Sequence, residues 1–195
     1  MIKEIFGTLA VILTFVMFVP YIVSILRNRI KPHLFTWVIW SIVTITVGIA
    51  QMYNGGGYGA ISIVISGVLS LIVMFLVYIK KSDDSIKKID YVFLYISAFA
   101  LLLWYLISDP LYTIVLLTFI DLCGYIPTMR KAYEKPHEEE ISIFAISLFR
   151  NICSFVALNE YSIITTLFQI VTTVANLVII GIIVVRRNLI KIYAN

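Results

Sequence analysis

Seven apolar runs, each close to the length of a bilayer crossing, take up most of this chain: Ile5–Leu26, Leu34–Gln51, Ala60–Ile79, Tyr91–Ile107, Leu111–Met129, Ile141–Leu158 and Ile163–Val185. A membrane-spanning helix needs about 20 mostly apolar residues, because the hydrocarbon layer is about 30 Å thick and a helix rises about 1.5 Å per residue. Inside lipid every backbone N–H and C=O must be satisfied within its own segment, so each run is constrained to be helical. Composition agrees with this constraint. Of 195 residues 61% are hydrophobic and 13% charged, whereas a water-soluble domain carries about 25% charged residues. The pattern predicts an all-α integral membrane protein of seven transmembrane helices.

The stretch from Tyr91 to Met129 carries no charge apart from Asp109 and Asp121 and is too long for one crossing. It divides at Ser108, Asp109 and Pro110, where proline suits the first turn of a new helix and aspartate its cap. The first run is too long for a cleaved leader. It has only Lys3 as a basic lead and ends at Arg27 and Arg29 without a small-residue cleavage site, so it counts as a span. Lys and Arg collect in alternate interruptions: Arg27, Arg29 and Lys31; then Lys80, Lys81, Lys87 and Lys88; then Arg130, Lys131 and Lys135; then Arg186, Arg187 and Lys191. The other interruptions, Met52–Gly59, Ser108–Pro110 and Asn159–Ser162, have none. Short basic loops stay in the cytoplasm, which places the amino terminus outside and the carboxyl terminus inside, in a plasma (inner) membrane. The net charge of +4 is therefore topological, with the lipid bilayer as partner and no nucleic acid.

Two of the basic loops repeat. Pro20 is followed by Arg27, Arg29 and Lys31-Pro32-His33; Pro127 is followed by Arg130, Lys131 and Lys135-Pro136-His137. The chain's two histidines each stand third in a Lys-Pro-His. Spans one to three and five to seven share a hydropathy pattern, and with one span between them the two units have the same orientation, a parallel repeat. The first unit takes residues 1–79, a loop and linker span residues 80–110, and the second unit with the tail residues 111–195.

This three-one-three arrangement, with an outer amino terminus and a proline near the inner end of each unit's first helix, resembles the PQ-loop and SWEET superfamily of transporters over nearly the whole chain. The family's Pro-Gln pair stands here as Pro20-Tyr21 and Pro127-Thr128. Its asparagine in the last helix of each unit falls on Asn176 in the second unit and is replaced by Ser70 in the first. The resemblance implies alternating access, with Pro20 and Pro127 as hinges of the inner gate. The bland alternative is a pair of tolerated kinks. Related retrieval-signal receptors share the bundle, so a protein that binds without transporting stays open.

Among the polar residues inside the spans, Asp121 and Arg150 stand out. Asp121 is eight positions from Met129 and Arg150 nine from Ile141, which puts both about 12–14 Å from the inner boundary. An isolated charge at that depth costs at least about 2.5–3.5 kcal/mol, so both should face the bundle interior, and matching depth makes them a pair. Thr165, Gln169, Thr172 and Asn176 recur at helical spacing on one face of the seventh span, and Asn151 adjoins Arg150. Trp40 lies deeper than an interfacial aromatic belt requires, which suits a cavity wall. His33 and His137 read as solvated loop residues, and Glu138, Glu139 and Glu140 as acidic residues at a helix start.

No Ser-His-Asp or Cys-His set lies within the spans, no metal-ligating cluster is present, and no predicted span holds a lysine for a retinal Schiff base. The expectation is a non-enzymatic carrier without a cofactor, moving a small polar or anionic metabolite, with homo-oligomerisation left open. Its expected site is Asp121, Arg150, Asn151, Gln169, Asn176, Trp40 and Ser70. The alternative is a receptor or assembly subunit in which the same cluster recognises a peptide or partner.

Overall fold

A computed structural model describes residues 1–81, 83, 85–106 and 109–194, the side chains of 104, 105 and 192–194 excepted. The described chain is helical: α1 Ile2–Leu26, α2 Leu34–Tyr53, α3 Gly57–Lys80, α4 Lys88–Leu106, α5 Pro110–Glu134, α6 Ile141–Val156 and α7 Ile163–Ala194. Each apolar run of the sequence corresponds to one helix. By length and composition α1, α2, α3, α5 and α7 can cross a membrane, and α6 is a shorter apolar helix of 16 residues. Large apolar side chains such as Phe15, Val19, Phe75, Phe99, Phe119, Phe149 and Val174 are exposed around the bundle, which is the exterior that a lipid solvent requires.

The division before α5 falls where the residues predict it. Pro110 takes the first helical position, and Asp109 caps it by accepting from the Leu111 and Tyr112 backbone N–H groups at 2.8 and 3.1 Å. Ile107 and Ser108, which complete that interruption, lie outside the described residues.

Helix α3 packs against α1 and α2, and α7 against α5 and α6; between these sets α1 packs on α6 and α2 on α5, while α4 lies against α5. Small residues let α2 and α3 approach closely. A Cβ on Gly48 would strike Val64, and one on Gly67 would strike Ile45, so the two glycines set the interhelical distance. The helices alternate in direction. At one end Glu160 N–H donates to the Gly55 carbonyl and Lys3 Nζ to the Asn159 carbonyl, gathering the amino terminus with the α2–α3 and α6–α7 turns. Gly57 sits at φ +52 with Asn159 where a side chain would be, so only glycine fits there. At the other end Lys31 N–H donates to the Glu138 carbonyl, and Arg187 donates to the Pro136 and Glu139 carbonyls. The Lys and Arg loops of the sequence meet at this end, called the basic end below.

Candidate functional site

A cavity of ≈ 60 Å³ lies between the two helix sets, and α1, α2, α3, α5, α6 and α7 all contribute to its wall. That volume holds a few water-sized groups. Asp121 from α5 and Arg150 from α6 both line it, as do Asn176, Ser70 and Trp40. Asp121 and Arg150 are 2% and 6% exposed. They are not hydrogen-bonded to one another. Arg150 Nη2 donates to the neighbouring Asn151 Oδ1 at 2.6 Å, while its Nε and Nη1 are buried without any hydrogen-bond partner among the described residues. The direct pair expected from matching depth is therefore replaced by two opposite charges sharing one cavity wall.

Asn176 belongs to a chain of side chains. Tyr125 Oη donates to Asn176 Oδ1 at 3.0 Å, and Asn176 Nδ2 donates to Ser147 Oγ at 3.0 Å, linking α5, α7 and α6. Aromatic rings form the side of the cavity towards the basic end. Phe18, Trp37, Trp40 and Tyr125 follow one another at centroid distances of 6.0, 5.3 and 4.6 Å. Trp40 is half-buried, and its Nε1 is a further buried donor without a hydrogen bond among the described residues. Ser70 returns its hydroxyl to the Ser66 carbonyl at 2.8 Å, as serines in apolar helices often do.

Two expected residues stand off the cavity. Asn151 is one position from Arg150, which turns it about 100° around α6 towards α7, where Nδ2 donates to Thr172 and Thr173 hydroxyls at 3.2 and 3.0 Å. It holds the guanidinium from behind. Gln169 faces α2 instead. Its amide exchanges two hydrogen bonds with the amide of Gln51, at 3.1 and 3.3 Å. Gln51 stands seven positions beyond Thr44, a cavity residue, or about 10 Å further from the basic end. The two glutamines thus join the helix sets above the cavity. Tyr125, Thr44, Ser66, Ser147 and Phe168 line the cavity without having been expected there. Tyr125 carried a readable signal, one helical turn after Asp121 on the same face.

The prolines behave unequally. Both lie inside continuous helices. Pro20 is exposed on the outside of α1, whereas Pro127 is buried against α2.

The loop charges differ most from expectation. His33 is completely buried and its Nε2 lies 3.1 Å from Asp90 Oδ2, while His137 is exposed as expected. Burial holds the His33 imidazole below its ordinary value, outweighing the opposing pull of Asp83 and Asp90. Lys131 is completely buried, because α5 continues through Glu134 and the α5–α6 loop folds over it. Its Nζ lies 3.9 Å from Asp83, 3.7 Å from Glu138 and 3.7 Å from Glu139. Glu139 is 1% exposed, and burial pushes its carboxyl up to about 7 against the pull of Lys131, with Asp83 and Glu138 adding to the rise. Solvated loop polarity was the wrong assignment for His33, since loop folding and not position along the chain decides its exposure.

No family model matches the chain, and no curated protein and no solved structure matches it. The cavity and its charges are what bear on function.

Proposed function

We propose that the protein is a membrane carrier of a small polar or anionic metabolite, working by alternating access around the central cavity. The observation that carries this reading is a buried cavity between two helix sets, walled by a carboxylate and by a guanidinium with two open donors. Leaving such groups without partners costs about 1–3 kcal/mol each, which a fixed structural role does not repay and a ligand supplying acceptors does. Arg150 takes the anionic or carbonyl end of the solute, Trp40 Nε1 and Asn176 orient it, and Asp121 accepts from a donor on it. Ser70 shapes the wall, Asn151 fixes Arg150, and Gln169 closes the end away from the basic loops.

The helix contacts support a seven-span, three-one-three bundle. Exchanging α1, α2 and α3 for α5, α6 and α7 turns each packed pair among these six helices into another packed pair: α1 with α3 into α5 with α7, α2 with α3 into α6 with α7, and α1 with α6 into α5 with α2. In this reading α4 is the linker, the parallel repeats rock about the cavity, and the basic end is cytoplasmic.

The test is counterflow in proteoliposomes over a panel of small carboxylates, amino acids and polyols. At least one is expected to cross, and Arg150→Ala to reduce its flux by about two decades, as loss of a hydrogen bond to a charged group implies. Saturable binding that Arg150→Ala abolishes, with no flux of any bound compound, assigns the cavity to a receptor instead.

A further inference from the structure

Aromatic packing lines the cavity towards the basic end, and the buried charge cluster lies next to that packing, with Glu139 close to the Tyr21 hydroxyl. Tyr21 and Trp37 pack at 5.3 Å with their rings tilted by 42° and belong to one apolar core with Ile143 and Phe144; Trp37, Ile143 and Phe144 also line the cavity. Over this core Lys131 from α5 faces Asp83 from the α3–α4 connection and Glu138 and Glu139 from the α5–α6 loop. Asp83 in turn accepts from Leu34 N–H at 2.8 Å, so it secures the start of α2. One ammonium therefore ties the first helix set to the second.

The cluster is poorly built for stability. Three carboxylates surround Lys131 at 3.7–3.9 Å, with Lys135 3.7 Å from Glu138 at the exposed side, and Lys131 Nζ, Glu138 Oε2 and Glu139 Oε1 are buried without a hydrogen bond among the described residues. A buried ion network left half-satisfied is less favourable than apolar packing of the same shape. Such a network is suited to an element with two arrangements, dry in one and hydrated in the other. We propose that the Lys131 cluster is the gate at the basic end of the cavity, held closed by Lys131 across the two helix sets and released when Glu139 ionises. It rests on the carrier reading only in taking the cavity for a solute site.

The sign follows from linkage. The groups facing Glu139 are Lys131 of α5, Asp83 of the α3–α4 connection, Glu138 and the nearby Glu140 of its own loop, and the Tyr21 hydroxyl of α1; Arg187 of α7 bonds its backbone carbonyl. Together they leave the closed state holding the proton up to about 7. Hydrated in an open gate, the same carboxyl ionises near its ordinary value, about 4.3. The closed state binds the proton more tightly, so acid favours closure and a rise in pH through 7 favours opening.

The experiment places one cysteine, Ser70→Cys, in a background with Cys123→Ala and Cys153→Ala, in sealed vesicles of known orientation. A membrane-impermeant thiol reagent is applied from the basic face, with rates normalised to the unfolded protein at each pH. Labelling is expected to rise between pH 6 and 8, and Glu139→Gln, which keeps shape and stays neutral, is expected to hold it at the low value. Lys131→Met should raise labelling from this face by about tenfold or more, since removing one member of a buried ion cluster is worth more than one decade. Labelling from the opposite face, behind Gln51 and Gln169, should not change. Equal pH dependence in Glu139→Gln and its parent, or unchanged labelling in a folded Lys131→Met, overturns the gate. Gated labelling in a protein that moves no solute keeps the gate and removes the carrier.

Discussion

Arg150 and Asp121 line the wall of one cavity without hydrogen-bonding each other. Any coupling between them acts across the cavity, and removing one partner of a buried ion pair costs about 3–5 kcal/mol. Arg150→Met and Asp121→Asn are each expected to lower the thermal unfolding temperature in detergent. The double variant should lose less than the sum, with a coupling above about 0.5 kcal/mol. Strictly additive losses would mean that the two groups do not sense one another. These residues were legible in the sequence because a charge inside an apolar run has so few places to go. Lys131 and Glu139 were not, because a charge beside a span end reads as solvated, and its burial is decided by a loop folding back from elsewhere. Tyr125, Thr44 and Ser66 were hidden for the opposite reason, being unremarkable at any helix contact in a membrane.

The proline turn of α5 is tied to α2 by hydroxyls. Pro127 has no N–H for the Cys123 carbonyl; one residue on, the Gly124 carbonyl accepts from Thr36 Oγ1 at 2.8 Å, and Thr128 Oγ1 donates to the same Thr36 oxygen at 2.8 Å. The equivalent proline of α1 is exposed. A hinge that must move one helix set against the other belongs at the contact between them, which only Pro127 occupies. Pro127→Ala is expected to reduce solute flux about tenfold or more without loss of stability, since it restores a helical hydrogen bond. Pro20→Ala should change flux less than about twofold, and equal losses in the two variants would sink the distinction. Helix identity and order followed from hydropathy, but the end of α7 did not. The apolar run stops at Val185, whereas α7 runs to Ala194 because Arg186 bonds the Tyr133 carbonyl and Arg187 the α5–α6 loop. Such a stop is set by tertiary contacts that no local pattern encodes.

At the scale of the whole bundle, the two ends of the cavity are closed by different chemistry, and this makes the stability of the molecule depend on pH in a definite sense. Away from the basic end the cavity is bounded by a neutral amide pair, Gln51 with Gln169, which does not titrate. At the basic end the boundary contains Glu139, raised to about 7, and His33, lowered by burial. The raised carboxyl contributes stability that is complete below its unfolded value and is lost as pH rises through 7. The lowered imidazole contributes stability that is present above about 6.5, its unfolded value, and is lost as pH falls through the folded one. Between about pH 4.5 and 6.5 the two oppose each other, and above 6.5 Glu139 alone of these two acts. Unfolding followed by tryptophan fluorescence should therefore show stability falling by about 1 kcal/mol from pH 6.5 to 8. Glu139→Gln should reduce that fall, and His33→Gln should leave it intact while flattening the acid side. A fall unchanged in Glu139→Gln would place the titrating group elsewhere in the molecule.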